Sequence, residues 1–356
     1  MRMLAARQGF AAPPPASRGR SLCSRSAALD RLPGPHTPAV GQRYDGRVDS
    51  FEEVGPTEHV VGTYMLPWRL IGPEFDGRLD EAARVEHSAD ANGTEVLITR
   101  IGGLFARAPE HLTAAVLETV AEAFNLVLCE LALAGADSAP VSSHDIETGK
   151  LNNGHAFVDH FSSAVYASFD RTVGPMLAVN HRAWMAWGGP LADRLALQPS
   201  WALRHAKRLA RVSTTLPRLI VGAYWNDIRG HEAESLIDCW IVVEQFLDRM
   251  WEDHLGSIPE APRRRQLRDQ RTFSAAVRAE VLRTVGRLPP ELHEQVQVAR
   301  AARNRLAHRA DLPTVGAGLG MIAMRGMLEH FLGETVELGR EDWRANWDRA
   351  ASHPSA

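Results

Sequence analysis

The chain is predicted to fold as an α+β N-terminal domain, residues 44–190, followed by an all-α helical bundle, residues 195–338. Three observations predict that division. Short β-branched runs bounded by Gly and Pro occur before residue 104, which is the pattern of strands. From residue 199 onward, apolar residues instead recur at spacings of three and four, the period of an amphipathic helix. Charge separates along the same axis, with twelve acids against five arginines over 45–100 and twelve arginines against six acids over 259–311. A polyanion, if bound, is therefore expected towards the C-terminus.

Residues 1–43 are rich in Ala, Pro, Ser and Arg, with no acid before Asp30, and read as a disordered extension or an upstream start. Their composition is that of a transit peptide, without the apolar core of a secretory signal. Residues 58–66 and 94–101 read as strands, and the Gly-, Asp- and Pro-punctuated pieces between them as loops or turns. Over 109–135, Val116, Val120, Phe124, Val127, Leu128 and Leu131 mark a buried helical stripe that Gly135 ends. A polar connection over 138–154 and a further helical pattern over 157–187 follow. Helices are expected over 199–215 and 218–229, interrupted at Pro217, then over 231–255, 273–287, 290–313 and 315–332, with a frayed tail at 339–356. The helices at 234–255, 291–309 and 315–332 are expected to share one bundle, because their apolar stripes cannot be buried separately.

With 45% apolar and 23% charged residues, the composition is that of a soluble globular protein. No apolar run approaches the ~20 residues of a membrane-spanning helix, so no membrane partner is expected. Cys23, Cys129 and Cys239 form no CxxC pair, which argues against a disulfide framework and fits a reducing, cytoplasmic setting. His144, Asp145, Glu147, His155, Asp159 and His160 match no zinc spacing, so neither metal nor cofactor is expected. Gly102-Gly103 lacks a dinucleotide or Walker pattern. Trp184 and Trp187 read as core or interface residues.

The stretch 290–313, PELHEQVQVARAARNRLAHRADLP, reads as one helix. Pro289 and Pro290 mark its start, Glu291 and Glu294 lie near its positive end, and Arg305, His308 and Arg309 load its last turn. Leu292, Val296, Ala299, Ala302 and Leu306 form the buried stripe, with Arg303, Asn304 and His308 expected on its flank. Arginine, a polar neighbour, and histidine five places on resembles the signature of HEPN-type nucleases. The likeness covers about 199–337, and the helix carrying Trp240 and Glu244 is similar to one in a subgroup related to the abortive-infection protein ApeA. Arg309 departs from the pattern, standing where glycine is frequent.

Chemically, histidine can take a proton from a 2′-hydroxyl or return one to a leaving oxygen. The arginine fork can hold a phosphate through the transition state. The resemblance implies a HEPN-like helical domain and metal-independent RNA cleavage leaving a 2′,3′-cyclic phosphate, in toxin or antiphage defence. Arg303, Asn304 and His308 are then catalytic, and the N-terminal domain is a sensor or accessory unit. Arg263, Arg264, Arg265, Arg268, Arg271, Arg305 and Arg309 are expected to bind RNA phosphates. Arg303 and His308 diverge by ~140° around the helix, so a homodimer is expected to complete the site. A cognate antitoxin or a phage-derived trigger are further expected partners. The alternative is a non-catalytic HEPN-like module that assembles on RNA or protein.

Overall fold

Two Asn-Gly dipeptides organise the N-terminal half. Asn92 and Gly93 have φ of 54° and 88°, and Asn153 and Gly154 have φ of 49° and 77°. Both are thus two-residue turns with two left-handed residues, the geometry that matches the twist of a hairpin. They join β2 (Val85–Ala91) to β3 (Thr94–Thr99) and β5 (Glu147–Asn152) to β6 (His155–Val158). With β1 (Glu58–Tyr64) and β4 (Gly103–Arg107), these form an antiparallel sheet in the order β2-β3-β4-β1-β5-β6. The computed structural model describes residues 57–65, 83–100, 102–108, 111–136, 138–159, 203–269, 271–309 and 316–338. The expected extension at 1–43, the tail at 339–356, Cys23, Trp184 and Trp187 lie outside them.

The edges of the sheet meet. Arg84 pairs with His155, the Val85 N–H donates to Gly154 O at 2.8 Å, and the Ala156 N–H donates to Ala83 O at 2.9 Å. The six strands thereby close into a small barrel, a solution that protects sheet edges. Alternation along the strands gives the barrel two apolar faces. Val60, Tyr64, Leu97, Phe105 and Ala156 fill the inside, while Val61, Val96, Ile98, Leu104 and Ala106 join the main core outside. Phe105 occupies the space that Gly62 and Gly103 leave open: a Cβ on either would come within 2.6 Å of its ring.

Helix α1 (Ala114–Leu133) covers the outer face, N-capped by Thr113, whose side chain accepts from the Val116 N–H. Its buried Asn125 is fully used. The Nδ2 group donates to Ala121 O and Val141 O at 2.8 and 2.7 Å, and Oδ1 accepts from the Val141 N–H at 3.0 Å. One continuous core runs from the outer barrel face through Phe124 and Leu128 of α1 to Ile220, Phe246 and Met324. Seven further helices follow among the described residues: α2 (Arg204–Ala210), α3 (Leu216–Ile228), α4 (Glu232–Gly256), α5 (Ala261–Leu267), α6 (Ala275–Thr284), α7 (Pro290–Arg309) and α8 (Gly316–Leu332).

α4 is the axis of the bundle, burying Leu236, Trp240, Val243, Phe246, Leu247 and Trp251. α8 lies along it in the same direction, with Gly320 against Leu236 and Cys239 and Phe331 5.2 Å from Phe246. α7 runs antiparallel to α8, because Leu319 meets Ala302 and Leu306 while Gly326 meets Leu292 and Gln295. The three helices expected to share a bundle do so.

Three expectations are corrected. Residues 85–91 are a strand, not a loop, since they find an antiparallel partner, and 103–107, left without an expected element, are a strand as well. The polar connection over 138–154 contains β5, and Phe157 lies in β6, not a helix. The rest of that expected helix lies outside the described residues. The helix expected from 199 begins at Arg204 and ends at Ala210, and Pro217 opens α3 instead of breaking a helix. Residues 261–267, for which no element was expected, form the short helix α5.

Candidate functional site

α7 forms because its apolar residues make one stripe. Leu292, Val296, Ala299 and Ala302 are buried, and Leu306 packs with Val298 against Leu236 of α4 and Leu319 of α8. That seal fixes the C-terminal half of α7 and leaves its polar side open. Asn304 is half-buried, and Arg305 and His308 are exposed, neither with a side-chain partner among the described residues. Arg303 is not on the flank as expected. It follows Ala299 by four residues and Val296 by seven, so it continues the buried stripe where burial thins, and it is half-buried. Its Nη1 donates to Asn304 Oδ1 at 3.3 Å.

The ~140° between Arg303 and His308 persists in this helix, so one copy does not bring the two groups to a point. Arg305, three residues before His308, is the exposed cation nearest to it around the helix. Towards the start of α7 the side bearing Asn304 carries a polar ladder. His293, 6% exposed, has Nε2 3.0 Å from Glu280 Oε1 of α6 and 3.2 Å from Gln297 Nε2. Gln297 Oε1 accepts from Arg300 Nε at 2.9 Å.

The other basic group is divided. Arg264 is spent on structure, with Nη1 donating to Ile258 O at 2.6 Å and Pro259 O at 3.1 Å. Arg268 grips Glu252 through Nη2 and Nε at 2.7 and 3.1 Å. Arg263, Arg265 and Arg271 are exposed and their side chains are unpartnered. Position matters more than engagement. α5 follows the C-terminal end of α4, whereas the Arg303–His308 segment packs on its first turns through Leu236. The twenty helical steps from Leu236 to Gly256 span about 30 Å. The two sets of expected RNA-binding residues therefore sit at opposite ends of the bundle. Arg309 is the last residue of α7.

Sequence reasoning missed a cluster where α1, α2 and the end of α8 meet. Glu130 Oε2 accepts from the His205 and Ala206 N–H groups at 3.1 and 2.8 Å, capping α2 from a distance. Its Oε1 lies 2.6 Å from His205 Nδ1, while His205 Nε2 lies 3.1 Å from Glu334 Oε2. Arg204 completes the group by pairing with Glu334. No spacing in the sequence links residues 130, 205 and 334.

Among the described residues, no group of three or more His, Cys, Asp or Glu side chains could hold a metal ion. Asp145 is instead a cap, accepting from the Ser142 N–H at 2.8 Å. Cys129 and Cys239 are free and buried, and burial pushes both thiols up, away from the reactive thiolate. Among the described residues, no helix is long and apolar enough to cross a membrane. No protein-family model, curated protein or solved structure matches the chain.

Proposed function

We propose that the chain is a metal-independent endoribonuclease of HEPN type, acting in the cytoplasm in toxin or antiphage defence. Arg303 holds the scissile phosphate, Asn304 orients the Arg303 guanidinium, and His308 moves the proton between the 2′-hydroxyl and the leaving oxygen. The observation that carries this reading is the idle chemistry at the end of α7. Among the described residues, the Arg303 guanidinium has one hydrogen-bond partner, Asn304, at the edge of the buried stripe, and the exposed His308 has none. Because the two groups diverge, a second copy supplies the missing half of each site. A phage-derived trigger or an antitoxin would act by controlling that assembly.

A second reading, a non-catalytic HEPN-like module that binds RNA or protein, draws on that same divergence, since one copy alone lacks a converged site. One experiment separates them. Purified protein should cut RNA in the presence of EDTA and spare an RNA with a 2′-deoxy sugar at the cut. Mixing His308→Ala with Arg303→Ala subunits, after exchange, should restore part of the activity that each variant alone lacks. RNA that is bound and left whole, with or without a trigger, supports the assembly module.

A further inference from the structure

Arg300 is the free end of the polar ladder on α7. Its Nε is fixed by Gln297, whose Nε2 faces Nε2 of the buried His293, the ring nitrogen that also lies against Glu280 of the neighbouring α6 and can serve only one of the two at a time. Among the described residues the two Nη groups of Arg300 have no partner, and the side chain is half-buried. The residue stands four before Asn304 and eight before His308, turning by ~40° at each step, so the three lie along one gently winding stripe. No acidic residue interrupts α7 between Glu294 and its end. An arginine whose stem is anchored and whose fork is open is built to receive an anion bidentately.

We propose that Arg300 binds the phosphate next to the scissile one, with Gln297 and His293 as positioning residues, so that a single RNA strand runs along α7 from His308 towards Arg300. The inference rests on the ribonuclease reading and adds the path of the substrate to it.

The test is binding of a 2′-O-methyl oligoribonucleotide, which cannot be cut through its 2′ position, followed by fluorescence anisotropy over a salt series. Wild type, Arg300→Gln, Arg300→Lys and Gln297→Leu are compared, alongside cleavage of the matching unmodified RNA. Losing one phosphate contact on a single strand should lower the slope of log K against log salt by about 0.7 in Arg300→Gln. Arg300→Lys should keep the slope. Gln297→Leu should weaken binding with the slope kept, because the charge remains but is no longer aimed. A purely structural Arg300 would lower the thermal midpoint and leave the slope unchanged, which overturns the proposal while wild type still cuts RNA. If wild type neither binds the modified strand nor cuts the unmodified one, the ribonuclease reading itself fails and the proposal with it.

Discussion

α2 and the end of α7 are both short basic helical stretches with one histidine each, and they use their charges in opposite ways. On α2, Arg204 pairs with Glu334, His205 lies between Glu130 and Glu334, and Lys207 reaches Asp90 at 2.8 Å. Arg208 donates to Leu332 O at 2.9 Å and stacks over Phe331. Its N-cap, the buried Leu203, is even held at φ 41°, a left-handed conformation that costs a non-glycine residue energy. On α7, among the described residues, the Arg303 guanidinium hydrogen-bonds only to Asn304, and Arg305 and His308 have no hydrogen-bond or ion-pair partner. The difference lies in what surrounds each helix. Carboxylates from α1, β2 and just past the end of α8 converge on α2, and among the described residues none pairs with the end of α7. Cations with matching acids hold a fold together, whereas cations left without them are available to a polyanion.

The largest effect should follow from removing the idle arginine. Arg303→Met keeps the aliphatic stem that continues the buried stripe and removes the guanidinium, so RNA cleavage should fall by ~10²-fold or more with little change in the thermal midpoint. Arg303→Ala should lose the same activity and some stability as well, because the side chain is half-buried.

On the committed side, Glu130→Ala should act on stability. It strips the acceptor from two N–H groups and from His205, a loss of about 1–3 kcal/mol for buried donors left unpaired, measurable by urea unfolding. RNA cleavage per folded molecule should be retained. Rescue of stability by Glu130→Gln should be partial, since the amide restores an acceptor without its charge.

A smaller effect is expected from Arg263, Arg265 and Arg271 changed together to Gln. Salt-dependent affinity for long RNA should drop, with the cleavage rate at saturation unchanged, because α5 lies at the far end of α4. Reduced cleavage of short RNA at saturation would bring that end into the site.

The smallest concerns Asp90, whose carboxyl is held below its usual range by its hydrogen bonds to Lys207 and then the Gly93 N–H. A depressed folded pKa contributes stability above the unfolded value of about 3.9 and loses it as pH falls through the folded one. Lys207→Met should therefore cost a little stability at pH 6 and nothing near pH 2. Exposure of the pair keeps the effect slight. Urea midpoints for the two proteins at both values measure it, and a difference that grows on acidification would contradict the assignment.

How much of this was legible in the sequence depended on whether the signal was local. The bundle helices were, because their stripes repeat within single segments: α4 was expected over 231–255 and is Glu232–Gly256. The barrel was not, although its loudest cue was present twice. Asn92-Gly93 and Asn153-Gly154 are the dipeptides that two-residue hairpins prefer, and reading them as generic punctuation turned β2 and β5 into loops. Closure of the barrel rests on Arg84 meeting His155, a pairing between distant residues that no local pattern encodes. Within the candidate site, the spacing located Arg303, Asn304 and His308 on one helix. It misplaced Arg303 relative to the stripe, since a charged residue was assumed to avoid the buried side. Which arginines are engaged also lay beyond the sequence, because Glu252 finds Arg268 and Glu334 finds Arg204 through the fold.

The most direct test sets the two histidines against each other. His308→Ala and His205→Ala are purified in parallel, and each is assayed for RNA cleavage in EDTA and for its thermal midpoint. The account predicts that His308→Ala abolishes cleavage and melts like wild type, while His205→Ala cuts RNA normally per folded molecule and melts lower. Cleavage that persists in His308→Ala would contradict it, placing the chemistry, if any, away from the end of α7.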